Sequence, residues 1–348
     1  MYASFYGLHS KPFQISPDPR YFFNSKGHHR ALSYLRYGVQ QGDGFIVVTG
    51  DVGTGKTTLV KALSSYLASE NIVVAQLVTT QLDDKDLLRM VAAGFGLTYE
   101  QKSKARLLRG LHSYFLACAE EGKRSLLVVD EAQNLSTNAI EELRMLSNLE
   151  WRSQPLLQSF LLGQREFRVI LRSEGFEQLR QRVIAAYHLQ PLSMDETREY
   201  IVHRMVTAGW QGDPAFDERI FPEIYAFTSG VPRRINTLCD RLLLFGYLGQ
   251  DHTLGMNELA EVSRELIDEG AGPVGELDRF TEGLDPELVS RRPAIAQTAA
   301  LESQSTTFSE SSDSTLHLEA AVRSMQEELN RFREILEKQK TKKRNGNN

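Results

Sequence analysis

Gly50-Asp51-Val52-Gly53-Thr54-Gly55-Lys56-Thr57 decides the reading of this chain. It is a complete G-x-x-x-x-G-K-[ST] loop. An apolar run, Phe45–Thr49, precedes it with the character of a buried strand, and a helical pattern over Lys56–Ala68 follows. Strand, loop and helix together are the setting that lets such a loop hold phosphate. Its glycines allow backbone N–H groups to curl around phosphate oxygens, and the helix N-terminus adds partial positive charge. A lysine in this position reaches the β- and γ-phosphates, and the next hydroxyl ligates Mg²⁺. The expected ligand is therefore MgATP. The expected binding residues are Gly50, Asp51, Val52, Gly53, Thr54, Gly55, Lys56, Thr57 and Thr58, with Thr57 on the metal.

Leu126-Leu127-Val128-Val129-Asp130-Glu131 reads as the partner strand of that loop. An apolar strand ending in two acids can present one carboxylate to Mg²⁺, here Asp130, and one to the attacking water, here Glu131 as general base. Gln164 directly follows a further strand, Leu157–Gly163, which places it at the carboxyl end of the sheet, where ligands bind. It is expected to sense the γ-phosphate or the lytic water, with a helix-capping loop residue as the competing reading. Arg180 and Arg182 precede the last strand, and Arg233 and Arg234 open a later helix. A lone arginine is usually a solvated surface charge. Two pairs placed after the nucleotide core suggest a finger supplied to a neighbouring subunit and a sensor reaching from a lid.

Strand-like runs alternate with helical ones outward from the loop. The strands are Phe45–Thr49, Ile72–Val78, Leu126–Asp130, Leu157–Gly163 and Ala186–Gln190; the helices are Lys56–Ala68, Lys85–Phe95, Ala105–Glu121, Asn138–Leu149 and Arg165–Leu171. That order predicts an α/β fold with a parallel sheet flanked by helices. From Ser193, which stands at capping-box distance from Glu196, only helical patterns follow: a first helix to about Ala208, then Asp217–Thr228, Arg233–Leu248 and Asn257–Asp268. The expected organisation is an aromatic-rich leading segment (1–44), an α/β core (45–192), a helical lid (193–269), a linker rich in Gly, Ser, Thr and Glu (270–315), an amphipathic helix (316–340) and a basic tail (341–348). In the leading segment His29–Gln40 reads as a helix. In the fifth segment Leu318, Val322, Met325, Leu329, Phe332 and Leu336 repeat in steps of four and three. They make a short coiled-coil candidate, with an amphipathic helix lying on the protein's own body as the alternative.

The 348 residues carry 41% hydrophobic and 24% charged side chains and a net charge of −5. That balance suits a globular chain and gives no general attraction to nucleic acid or to an anionic membrane. No window approaches the roughly 18 apolar residues of a membrane span, and residues 1–12 lack a signal-peptide pattern. The expected location is the cytoplasm, with any membrane attachment peripheral, at the inner membrane through a partner. Cys118 and Cys239 read as buried thiols with no metal-ligand spacing around them.

The order of phosphate loop, Asp-Glu strand, polar strand end, arginine and helical lid resembles AAA+ proteins. Phe5-Tyr6-Gly7-Leu8, Pro12-Phe13, Pro17-Asp18-Pro19, Gly163-Gln164 and Gly230-Val231-Pro232-Arg233-Arg234-Ile235-Asn236 are similar to the general secretion pathway protein A (ExeA-like) family. Gln158–Gln164 and Leu179-Arg180-Gln181-Arg182-Val183 look most like its branch of ATPases encoded with the exosortase (PEP-CTERM) system. The resemblance covers residues 1 to about 268. Arg165 stands where relatives usually have proline, and the transmembrane and peptidoglycan-binding parts of the founding members are not seen here. The resemblance implies a five-stranded P-loop NTPase core with a helical lid. It also implies ATP hydrolysis, nucleotide-dependent homo-oligomers (ring or dimer), and work on a secretion or exopolysaccharide machine of the cell envelope. It assigns Arg182 as the finger with Arg180 the alternative, Arg233 as the lid sensor, and an adenine pocket near Tyr21–His28. For His28 a surface histidine is the competing reading. Two other functions compete: an ATP-dependent DNA-binding helper of the transposition type, and an ATP-binding scaffold with little turnover.

Overall fold

Phe45 and Val47 face one side of the strand that leads into the loop while Ile46 and Val48 face the other, and all four are buried. The strand β1 (Phe45–Gly50) is therefore covered on both faces, and the chain builds a core on each. It belongs to a five-stranded parallel sheet with β2 (Ile72–Val78), β3 (Arg124–Asp130), β4 (Leu157–Gly163) and β5 (Val183–Leu189). In space the order is β2-β3-β4-β1-β5. The computed structural model describes residues 2–16, 18–78, 84–100, 102–270 and 272. The chain divides into two compact units, Met1–Gly283 and Leu284–Asn348, and all described residues belong to the first. Most of the expected linker, the amphipathic helix and the basic tail lie outside the described residues.

One face of the sheet is covered by α1 (Lys26–Gln41) and α2 (Lys56–Ser69), whose Leu35, Val39, Leu59 and Leu63 pack on Ile46, Val48 and Phe160. The other carries α3 (Asp84–Gly94), α4 (Lys104–Glu120), α5 (Thr137–Leu146), α6 (Arg165–Arg172) and the short α7 (Glu177–Gln181). Their Leu88, Phe115, Leu143 and Phe167 meet Phe45, Leu127 and Leu161. The strands β1, β3 and β4 are buried almost throughout, whereas the outer strands β2 and β5 alternate between covered and open positions.

After β5 the chain passes to α8 (Met194–Thr207), α9 (Ile220–Thr228), α10 (Pro232–Gly249) and α11 (Met256–Asp268). Ser193 and Glu196 form the expected capping box: Glu196 N–H donates to Ser193 Oγ at 3.2 Å and Ser193 N–H to Glu196 Oε2 at 3.0 Å. The lid is not wholly helical. Ala215–Phe216 pairs in parallel with Thr253–Leu254, a two-residue contact too short to leave a periodic signal. A third core fills this part, and the leading segment supplies a share of it: Tyr2, Tyr6, Leu8, Phe13 and Tyr21 are buried there among Ile201, Met205, Ile224 and Leu242.

Smaller differences from the expected elements have local causes. The helix α1 begins at Lys26, ahead of His29, because Ser25 caps it, its Oγ accepting from His28 N–H at 3.2 Å. A hairpin joins Glu150–Trp151 to Gln154–Pro155 through Arg152 and Ser153, both at positive φ. The edge strand β5 starts at Val183, earlier than its weakly patterned sequence indicates.

Candidate functional site

Strand order assembles the site. Register pairs Thr49 with Gly163 and Val129 with Leu161, so the loop after β1, the acids ending β3 and Gln164 after β4 emerge at one carboxyl edge. This edge of an open parallel sheet is where α/β folds bind ligands. The loop leaves β1, turns through Gly53 (φ +83°) and Gly55 (φ +99°), and enters α2 at Lys56. Both glycines are required here. A Cβ on Gly53 would lie 2.5 Å from Arg233 Cβ, and one on Gly55 2.9 Å from His28 Nε2, in backbone conformations that side chains resist.

Lys56 is 6% exposed, and its Nζ donates to the carbonyls of Gly50 at 2.9 Å and Asp51 at 3.1 Å. Burial lowers its pKa, opposed by the carboxylates of Glu131, Asp130, Asp51 and Glu166. Thr57 Oγ1 donates to Asp130 Oδ2 at 2.6 Å. A hydroxyl beside a buried carboxylate is the hard-oxygen donor set that Mg²⁺ takes, completed by water and phosphate oxygens. The loop's glycines and these two oxygens fit a magnesium-bound polyphosphate.

Glu131 sits in the left-handed region, φ +55°, immediately after β3. One of its oxygens, Oε2, accepts from Gln133 Nε2 at 2.5 Å and from Gln164 Nε2 at 3.1 Å. Gln164 is thus placed beside Glu131, and its backbone N–H donates to Gln133 Oε1 at 2.9 Å. Burial works to raise the Glu131 pKa, but the two amides and the Lys56 charge outweigh it and hold the carboxyl below its usual range. The sequence reading did not single out Gln133. The signal available was a polar residue two places after the acid pair, on a loop rather than in a pattern.

A cavity of about 350 Å³ opens between the loop, the leading segment and the lid. Val52 to Thr58, Glu131 and Arg233 are among its lining residues. Arg233 is held there by its own N–H, which donates to Gly53 O at 3.2 Å. Gly50 and Asp51 do not line the cavity: their carbonyls hold Lys56, and the Asp51 carboxylate pairs with Arg165 at 2.6 Å. His28 is not a surface histidine. It is 5% exposed, pairs with Ser25 Oγ through Nδ1 at 2.8 Å, and backs onto Gly55.

Arg180 and Arg182 are not brought to this cavity. Arg182 O accepts from Phe45 N–H at the opposite end of β1, a strand of six residues and on the order of 17 Å from the loop. Arg182 Nη1 donates to Ser147 O at 3.0 Å and Ser147 Oγ at 3.1 Å; Arg180 Nη1 donates to Leu171 O at 2.7 Å, and Arg180 Nη2 pairs with Glu177. From this position neither reaches this cavity of its own chain.

A family model described as AAA domain matches residues 39–171. The chain is 38% identical over 279 residues to "General secretion pathway protein A" of Aeromonas hydrophila, a match covering 79% of this chain and 51% of that protein. The chain thus spans about half the length of this curated relative. Among solved structures it is similar to the ORC2 protein of Aeropyrum pernix, at TM-score 0.58 and 15% identity over 72% of this chain and 70% of that one. It is also similar to Cdc6p of Pyrobaculum aerophilum, at TM-score 0.58 and 13% identity over 84% and 78%. Residues 39–171 thus match an AAA domain, set in a P-loop fold with a helical lid.

Proposed function

We propose that the chain binds and hydrolyses MgATP as an AAA+ ATPase, and that it uses the cycle to assemble or reset a machine of the cell envelope. The observation that supports hydrolysis, rather than binding alone, is the convergence of Lys56, Thr57 and Glu131 on one cavity, with Asp130 hydrogen-bonded to Thr57 beside it. When bound, Mg²⁺ would sit on Thr57 and Asp130 and neutralise charge on the phosphate oxygens. The loop amides and Lys56 orient the polyphosphate, and Arg233 closes on it from the lid. Glu131 draws the proton from an attacking water, while Gln164 holds the carboxylate in place. Arg182 acts on a neighbour's nucleotide after exchanging Ser147 for phosphate, which makes the active species a nucleotide-dependent homo-oligomer. The envelope role, in secretion or in an exopolysaccharide system linked to exosortase, rests on the sequence resemblance. Peripheral attachment at the inner membrane through a partner belongs to the same reading. Among the described residues no helix is long and apolar enough to cross a membrane.

The test is ATP hydrolysis per subunit across a wide protein concentration range, with Glu131→Gln and Arg182→Ala alongside. Specific activity is expected to climb with concentration. Both variants should lose it while still binding nucleotide, since a finger in trans accelerates hydrolysis by about 10³-fold or more. Flat specific activity, or an unaffected Arg182→Ala, overturns the shared-site mechanism.

A further inference from the structure

The far end of the cavity, away from the phosphate loop, is built from polar groups that no catalytic step uses. Arg204 on α8 is 7% exposed, and among the described residues it makes no ion-pair contact, its charge reaching the Asp18 carboxylate only at longer range. Its three donor groups go elsewhere: Nε to Pro12 O at 2.5 Å, Nη2 to Gln14 O at 3.3 Å, and Nη1 to Tyr200 Oη at 2.8 Å. Tyr200 Oη in turn donates to Asn236 Oδ1 at 2.8 Å. Asn236 is 7% exposed and stands one helical turn beyond Arg233 on α10.

This chain of hydrogen bonds has only one polarity. A guanidinium can only donate, so the Tyr200 oxygen accepts from Arg204 and must spend its single proton on Asn236. The Asn236 atom facing Tyr200 is therefore the carbonyl oxygen, since a flipped amide would leave the Tyr200 proton without this acceptor. The NH₂ group is left as a donor of fixed direction. Among the described residues no protein acceptor is recorded for it, and Asn236 lines the cavity together with Tyr200 and Arg204.

We propose that Asn236 reads the base of the bound nucleotide, donating through Nδ2 to an unprotonated ring nitrogen of a purine. The cavity walls suit a planar ring: Ile15, Tyr21, Phe22, Phe23 and Leu192 line the same cavity as Asn236. Phosphate oxygens have their donors at the loop, one helical turn and about 5 Å of α10 away. A purine presents ring nitrogens with free lone pairs, the acceptor that this donor requires. Arg204 and Tyr200 act as positioning residues. By holding the carbonyls of Pro12 and Gln14 as well, Arg204 ties the leading segment to the same reader.

The inference rests on nucleotide binding at this site, so the experiment separates the two. Affinities of the full chain are measured for ATP, 1-deaza-, 3-deaza- and 7-deaza-ATP and 2′-deoxy-ATP, with wild type, Asn236→Ala, Asn236→Asp and Lys56→Ala. One deaza analogue is expected to bind wild type about fivefold to tenfold more weakly than ATP, the worth of one lost hydrogen bond. Asn236→Ala should bind that analogue and ATP alike. Asn236→Asp, which sets a carboxylate against the ring lone pair, should weaken ATP most. Equal affinity of wild type for all three deaza analogues overturns the proposal, as does a deaza penalty that persists in Asn236→Ala. A penalty confined to 2′-deoxy-ATP assigns the amide to the ribose and overturns it too. The analogue series on wild type decides the matter even if an Asn236 variant does not fold. Absence of nucleotide binding altogether, or binding indifferent to Lys56→Ala, sinks the nucleotide site itself.

Discussion

Gln133 joins Glu131 to Gln164 with a single amide. Its Nε2 donates to Glu131 and its Oε1 accepts from the Gln164 backbone, so the end of β3 is tied to the end of β4 at the point where chemistry is proposed. A carboxylate at the left-handed φ of Glu131 has no helix or strand to fix it, and these two amides supply that restraint. Hydrogen bonds to a charged group are worth roughly 1.5–3 kcal/mol. Gln133→Ala should therefore lower kcat by about tenfold to a hundredfold, with nucleotide affinity changed less than about twofold. Single-turnover hydrolysis and nucleotide titration on the same sample check this. Loss of affinity equal to the loss of rate would show that Gln133 merely supports the loop. The double variant with Gln164→Ala should lose less than the sum of the two, because both amides act on one oxygen.

The helix α1 braces the phosphate loop from behind, through the first turn that Ser25 caps. His28 lies there against Gly55, and burial lowers its pKa from 6.5, opposed by a hydrogen bond to the Thr54 backbone and by nearby Glu196. The unfolded imidazole takes its proton near pH 6.5 and the folded one only at lower pH. Below 6.5 the unfolded state binds more protons, so this contribution is complete above that pH and is lost on acidification. Thermal melts from pH 7 to pH 5 should fall more steeply for wild type than for His28→Gln. Parallel slopes would assign the acid sensitivity to His188 and His203, which burial shifts in the same direction. The resemblance put an adenine pocket near Tyr21–His28, but the packing of His28 against Gly55 was not legible, because His28 stands just before the helix read at His29–Gln40. The main elements were legible because their causes are local: the loop motif, the apolar runs of β1, β3 and β4, and the Ser193 capping box. The hairpin at Arg152 and Ser153 was not, since its positive-φ turn is made without the glycine or asparagine that normally marks one. Gln133 and the Arg204–Tyr200–Asn236 chain escaped for another reason. They depend on elements distant in sequence meeting in space, which no spacing records.

At the scale of the whole described unit, the leading segment and the lid share one core although the α/β core lies between them in sequence. Phe13 is 1% exposed, Tyr2 and Tyr6 are each 3% and Leu8 is 7%, all within the cluster formed by the lid helices. Polar ties run alongside: Tyr2 Oη donates to Asp240, Tyr6 Oη to Asp251 O at 3.0 Å, and His9 N–H to Ala208 O at 2.7 Å. Full burial of a large apolar side chain stabilises by about 1.5–3 kcal/mol, so four of them contribute on the order of 6–12 kcal/mol. That is comparable with the entire stability of a typical domain, about 5–15 kcal/mol. Removing residues 1–14 should therefore unfold the lid rather than trim a tail, although every residue of the phosphate loop, Asp130 and Glu131 remains. Limited proteolysis of the truncated chain should cut within 193–269 while sparing the sheet, and nucleotide affinity should fall with the loss of the cavity's far wall. Lid helices as protease-resistant in the truncated chain as in the full one would show that the lid's own residues suffice. The leading segment would then serve the nucleotide pocket alone.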